Sequence, residues 1–139
     1  MVKVTGVGKY TRRLRNMRNI AKQVTAALYD AGQEIELDAE ISISSGASQF
    51  GRHVPSRPGE PPNMDTGDLI RSIETTVEAQ NPPTVHVTAG GPVAPYAAYL
   101  EYGTSKMAER PFMRTAAEKN RAKVAKKVAA AVKIAIRKA

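Results

Sequence analysis

The sequence predicts an α+β domain: a long N-terminal helix and a C-terminal helix packed on a small antiparallel β-sheet, with a long extended loop. Three observations carry this. Apolar residues recur every three or four positions at both ends of the chain. Two short alternating runs flank Asn81-Pro82-Pro83 in the middle. A stretch rich in Gly, Pro and Ser separates the first helix from the rest. The 139 residues suit one domain, 1–139, with residues 1–10 a flexible N-terminal arm and 44–64 the long loop.

The first helix is expected from about Thr11 to Ile43. Leu14, Met17, Ala21, Val24, Leu28, Ala31, Ile35 and Ala39 step by three or four throughout. Gly32 lies inside this run and costs about 1 kcal/mol against Ala, so a bend or break is expected there. The stretch Ile41-Ser-Ile-Ser alternates like a strand and blurs the helix end. Residues 44–64 break helices and offer little that packs. About twenty unstructured residues in a small domain are rare without a reason. This loop contains Phe50, one of two Phe in the chain, followed by Arg52 and His53.

In Asp65-Thr-Gly-Asp-Leu-Ile-Arg-Ser-Ile, Asp65 or Thr66 can cap a short helical turn, with Asp68 near its positive start. Leu69 and Ile73 then share a face. Residues 73–79 and 84–88 read as two antiparallel strands, with Val85 and Val87 on one side and His86 on the other. Gly90-Gly-Pro ends the second strand. Pro95 to Tyr102 forms another helical turn, placing Tyr96, Tyr99 and Leu100 at i, i+3 and i+4, with Gly103 as a left-handed cap. Pro111 suits the first position of the last helix. That helix's buried stripe reads Met113, Ala117, Val124, Val128, Ala131 and Ala135, widened by Val132 and Ile136.

Composition narrows the function. There are no Cys, hence no disulfide framework, no thiol nucleophile and no Cys-ligated metal site. No apolar run approaches the roughly 20 residues that span a bilayer, and residues 1–10 lack a signal-peptide apolar block. Aromatic residues are 5% and Trp is absent, so the core is thin and neighbours are expected to complete it.

The net charge of +8 is segregated: +6 over residues 1–30, −7 over 31–109 and +9 over 110–139. The basic ends hold Arg12, Arg13, Arg15 and Arg18 and the C-terminal lysines. They admit a polyanion or an acidic protein surface. Aromatic interleaving is too thin for a base-stacking platform, so any nucleic-acid binding is expected to be sequence-independent. The apolar faces, mainly Ala and Val, do not suit a membrane.

Enzymatic chemistry is not signalled. His53 and His86 have no convincing second ligand or carboxylate nearby in sequence. Folding could gather Asp65, Asp68 and Glu101, but capping and ion pairing explain them more simply. Neither Gly6 with Gly8 nor Gly90 with Gly91 makes a phosphate loop. No enzyme and no cofactor are expected.

Two blocks are more specific. One is Tyr96-Ala-Ala-Tyr-Leu-Glu-Tyr-Gly-Thr-Ser-Lys-Met-Ala-Glu-Arg-Pro-Phe-Met-Arg-Thr-Ala, with Tyr96, Glu101, Gly103, Thr104, Lys106, Met107, Arg110, Pro111 and Phe112 as its fixed points. The other is Pro58-Gly-Glu-Pro-Pro-Asn-Met-Asp-Thr-Gly-Asp-Leu-Ile-Arg-Ser-Ile, with Thr66, Gly67, Leu69, Ser72 and Ile73. In these blocks and in the order of its elements the chain resembles the tail-completion (neck) proteins of long-tailed bacteriophages, over roughly residues 10–125. Thr115 departs from the pattern, which often has Pro there.

The resemblance implies a non-enzymatic virion protein of the tail and neck, assembled in the host bacterial cytoplasm. It would form a homo-oligomeric, hexameric ring at the head–tail junction and enable the tail to join the filled head. Neighbouring neck and tail-tube proteins would be its partners, with non-specific contact to DNA in the channel and none to membrane. Candidate interface residues are Arg12, Arg13, Arg15, Arg18, Phe50, Arg52, Lys106 and Met107. The basic ends and acidic middle would pair between adjacent copies. The Arg110-Pro111-Phe112 block would lock the loop to the body, with Phe112 buried and Arg110 bonded to carbonyls or to Glu101. A tail-terminator ring capping the tube, and a sequence-independent nucleic-acid-binding protein, stay open as alternatives.

Overall fold

A stretch from Val7 to Ser44 with no proline, rich in Ala, Leu, Arg, Gln and Glu, forms one continuous helix, α1 (Val7–Ser44). The structure, a computed structural model, describes residues 5–46, 48–49 and 52–138. After α1 come β1 (Ser48–Gln49), β2 (Arg52–His53), α2 (Asp68–Arg71), β3 (Glu74–Gln80), β4 (Pro83–Thr88), α3 (Ala97–Tyr102) and α4 (Met113–Lys138). This is the α+β class: two long terminal helices packed with a small two-stranded antiparallel sheet.

Helix α1 departs from expectation at three places. It starts at Val7, so residues 7–10 of the expected arm are helical. It runs through Gly32 without a break. The glycine serves the sheet: a Cβ there would lie 2.7 Å from Thr75 Cγ2 and 3.3 Å from Val85 Cγ1. The alternating Ile41–Ser44 run is helical too. Ile43 is buried in the core, and Ser42 Oγ donates back to the Ala39 carbonyl at 2.7 Å.

Strands β3 and β4 pair antiparallel from Glu74↔Thr88 to Gln80↔Pro83, with an irregularity between Val77 and Ala79. The Asn81–Pro82 peptide bond at the turn is cis. Val85 and Val87 are half-buried and His86 is exposed, the alternation the sequence predicts. The loop is not wholly irregular: β1 and β2 make a two-residue ladder, Ser48↔His53 and Gln49↔Arg52.

Helix α4 runs antiparallel to α1. Asp30 faces Lys127, Glu34 faces Lys123 and Lys127, and Asp38 faces Lys119, at 2.5–3.0 Å. The stripe that α4 buries differs in part from the expected one. Ala116, Asn120 and Ala135 are its buried positions, while Ala117 and Ile136 face outward. Asn120 is polar yet buried because Asp38 and the Ala116 carbonyl accept its amide hydrogens.

The core gathers Ala39, Ile43, Leu69, Ile73, Ala94, Ala97, Phe112 and Ala116. Among the described residues Phe112 and Ile43 are its largest fully buried side chains. The accessible surface is 10079 Å². A compact monomer of this mass exposes only about 7,000 Å². The exposed first turns of α1 contribute to this excess.

Candidate functional site

The two sequence blocks fold onto each other. Leu69 and Ile73, from the Thr66–Ile73 block, enter the same core as Ala97 and Phe112 from the second. Ser72 Oγ donates to the Leu69 carbonyl at 2.6 Å and accepts the Gly90 N–H at 3.1 Å, tying α2 to the end of β4. The cap of α2 is Gly67, in place of the expected Asp65 or Thr66. Thr66 instead donates its hydroxyl to Asp68 Oδ2 at 2.6 Å, and Asp68 also pairs with Arg71. The Thr66 hydroxyl and then Arg71 hold the Asp68 carboxyl below its usual range.

Glu101 is buried on α3 and caps α4. Its Oε2 accepts the backbone N–H groups of Phe112 at 2.9 Å and Met113 at 3.0 Å, and its Oε1 accepts that of Arg114 at 2.9 Å. These are the orphan donors of a helix start, where a negative charge is favourable. Phe112 is therefore the cap position, and Pro111 lies one residue outside it instead of inside the helix. Gly103 has φ +75° and ψ 176°, so it is not in the left-handed helical region expected of it. It is required twice over: by its positive φ, and because a Cβ would sit 2.8 Å from the Glu109 nitrogen. Thr104 and Met107 close the following turn through paired backbone bonds of 2.8 and 3.3 Å.

The loop is locked to the body through backbone groups. Gly59 N–H donates to the Glu109 carbonyl at 2.9 Å, and Met64 N–H to the Ile43 carbonyl at 3.2 Å. Arg110 does not bond Glu101. Its backbone N–H donates to the Leu100 carbonyl, its Nη1 lies 4.0 Å from Met107 Sδ, and its Nε is buried with no partner among the described residues. Tyr96, Tyr99 and Tyr102 stay largely exposed, so the aromatic side chains of α3 are surface features.

The candidate interface residues separate into groups. Arg12, Arg13, Arg15 and Arg18 are all exposed on the first turns of α1 and join none of the ion pairs of the described residues. Beside them runs an apolar stripe that the sequence reading followed only from Leu14. Val7, Tyr10, Leu14 and Met17 are 56%, 71%, 54% and 64% exposed. Its lower end opens into a groove of about 600 Å³ between Leu14, Met17 and Ala21 and the hairpin turn at Gln80–Asn81. Arg52 and Lys106 are exposed elsewhere, and Met107 is half-buried beside Arg110. Phe50 lies outside the described residues.

The C-terminal cations are less available than the sequence suggests. Lys119, Lys123 and Lys127 pair with Asp30, Glu34 and Asp38 of the same chain. Hydrogen bonds from Lys123 and Lys127 hold Glu34 below the usual carboxylate range, and those from Asn120 and Lys119 do the same for Asp38. Asp30 and Glu34 in turn raise Lys127. Part of the charge segregation is thus spent within one protomer.

His86 does meet a carboxylate, Glu78, across the hairpin, and His53 Nδ1 lies 3.5 Å from the Met64 carbonyl. Among the described residues no cluster of His, Asp or Glu is arranged to hold a metal ion, and no helix is long and apolar enough to cross a membrane. Compared with models of known protein families, with curated proteins and with solved structures, the chain matches none of them.

Proposed function

We propose that this chain is a structural virion subunit of a long-tailed phage, a tail-completion protein that forms a ring at the head–tail junction and lets the tail join the filled head. The observation that carries the reading is the uncovered start of α1. From Val7 to Asn19 every residue except Asn16 is exposed, and the segment presents an apolar stripe beside four arginines that join none of the ion pairs among the described residues. An isolated helix of this length is marginal in water, so the segment calls for a surface to lie on. In a heterologous ring each protomer offers such a surface to the next. The two sequence blocks support the family reading, and the excess accessible surface supports a subunit finished by neighbours.

The test is direct. Arg12→Glu, Arg13→Glu and Arg15→Glu together should abolish rings seen by native mass spectrometry while leaving the helical circular dichroism spectrum intact. Unchanged assembly would remove the basic face of α1 as the interface. In the phage, particles lacking the protein should carry tails of normal length that fail to join heads. Overlong tails would favour the tail-terminator role.

A second reading is favoured by the same arginine cluster, which suits phosphates as well as carboxylates. Sequence-independent nucleic-acid binding predicts tight association of the isolated chain with duplex DNA that falls steeply with salt. No binding at low salt removes it.

A further inference from the structure

Helix α1 carries a second uncovered surface, on the later half of the rod. Leu37 and Ile41, four residues apart on one strip, are 54% and 50% exposed. The opposite side of the same turns puts Ala39 and Ile43 into the core. Beside the exposed pair stand Glu36 and Glu40, also one turn apart. The other acids of α1, Asp30, Glu34 and Asp38, all meet lysines of α4. Glu36 and Glu40 join none of the ion pairs among the described residues. Glu36 accepts only the Thr75 hydroxyl among the hydrogen bonds described. Burial and then the charge of Glu36 push the Glu40 carboxyl above its usual range. This face thus pairs apolar surface with negative charge that its own protomer leaves uncompensated.

The start of α1 has the opposite character. Leu14 and Met17 are exposed there, and Arg13 and Arg18 flank them, each four residues from Met17 or Leu14. No acid occurs from residue 7 to residue 29. One chain therefore supplies both halves of a fit, apolar against apolar and free cation against free carboxylate.

We infer that the start of α1 from one copy lies along the outer face of α1 in the next copy. Leu14 and Met17 meet Leu37 and Ile41, and Arg13 and Arg18 reach Glu36 and Glu40. The inference rests on the ring reading above and names the surface that receives the uncovered helix start. At about 3.6 residues per turn, the two faces lie on nearly opposite sides of the rod. Two straight rods related by a two-fold axis cannot satisfy both faces in one contact. Each copy instead offers one giving end and one receiving face, and the contact repeats from copy to copy. The apolar strips supply the attraction, while the charges fix register and choose the partner.

The test uses the full chain in two double variants. Arg13→Glu with Arg18→Glu spoils the giving end, and Leu37→Arg with Ile41→Arg spoils the receiving face. All four positions are exposed, so each variant should keep its helical circular dichroism spectrum. Glu40→Lys serves as the receiving-face variant if the double arginine variant does not fold. Native mass spectrometry and sedimentation velocity at about 50 μM should show the wild-type chain assembled and each variant alone monomeric. An equal mixture of the two should form a complex of two chains and nothing larger, because it holds one intact giving end and one intact receiving face. A receiving-face variant that assembles like the wild type overturns the inference and leaves the ring reading standing. So does a mixture that stays monomeric beside an assembled wild type. A wild-type chain that stays monomeric overturns the ring reading and the inference with it. Assembly that appears only with added duplex DNA puts the arginines on phosphates and overturns the inference as well.

Discussion

Glu101 accepts the backbone N–H of Phe112 at 2.9 Å, eleven residues further along the chain. The same carboxylate holds Met113 and Arg114, so the first turn of α4 is capped by a side chain from another helix. Capping normally comes from the residue that begins the helix. Here Phe112 occupies that position and is needed in the core, so the polar task passes to α3. Glu101→Gln sets an amide donor against N–H donors and should cost about 2 kcal/mol; Glu101→Ala leaves three N–H groups unmet and should cost about 3 kcal/mol or more. Urea unfolding measures both. Losses below about 0.5 kcal/mol would mean that water replaces the cap.

At Gly32 two effects oppose each other. Alanine would gain about 1 kcal/mol of helix propensity. It would also press its Cβ to 2.7 Å from Thr75 Cγ2. Thr75 cannot turn aside cheaply, because its hydroxyl donates to Glu36 at 2.5 Å and its χ1 is stiff. Overpacking of this kind costs about 1–3 kcal/mol, so Gly32→Ala should be net destabilising. Adding Thr75→Ser, which removes the methyl and keeps the hydroxyl, should recover most of the loss. A stabilised single variant in thermal denaturation would show that the sheet yields.

Leu14→Ser and Met17→Ser act on exposed positions, so each should change monomer stability by less than about 0.5 kcal/mol. Under the proposed function the pair should nevertheless weaken self-association strongly. Sedimentation velocity beside thermal denaturation separates the two readouts. A large stability loss would place the stripe in the protomer's own core.

The acids of α1 divide by sign. Glu34 and Asp38 have lowered values when folded. Their contribution is therefore complete above the ordinary carboxylate range and is lost as pH falls through their lowered values. Glu40 is raised, by burial and then by the charge of Glu36. Its ionisation thus costs stability from its ordinary value of 4.5 upward. Glu40→Gln should stabilise the fold at neutral pH by about 0.5 kcal/mol, screened by solvent, and the gain should fade in acid. Asp38→Asn should flatten the acid-side loss. Unfolding free energies measured across pH check both signs.

The long helices were legible because burial on one face imposes a three-to-four residue period on any sequence that packs this way. What escaped the sequence is non-local. Gly32 reads as a helix breaker until Thr75, on the sheet, is placed against it. Asn120 has no place in the apolar stripe of the last helix, and it is buried because Asp38 of the other helix accepts its amide hydrogen. Glu101 reads, beside backbone carbonyls, as a partner of Arg110, since local patterns do not announce a carboxylate that reaches three backbone nitrogens of the next element. In the candidate site, the arginine cluster and Leu14 with Met17 were visible in sequence. Their exposure was not, because periodicity gives a face and not what covers it.

Helix α1 spans 38 residues, about 57 Å, and α4 with the sheet covers only its later part. Its backbone is therefore held with very different firmness along one unbroken rod. In an isolated protomer, amide hydrogens from about Val7 to Asn19 should exchange with solvent rapidly, and those around Ala31 to Ile43 slowly. Slowed exchange confined to the first segment would then be a signal of contact, recording when and where another surface settles on this end of the helix.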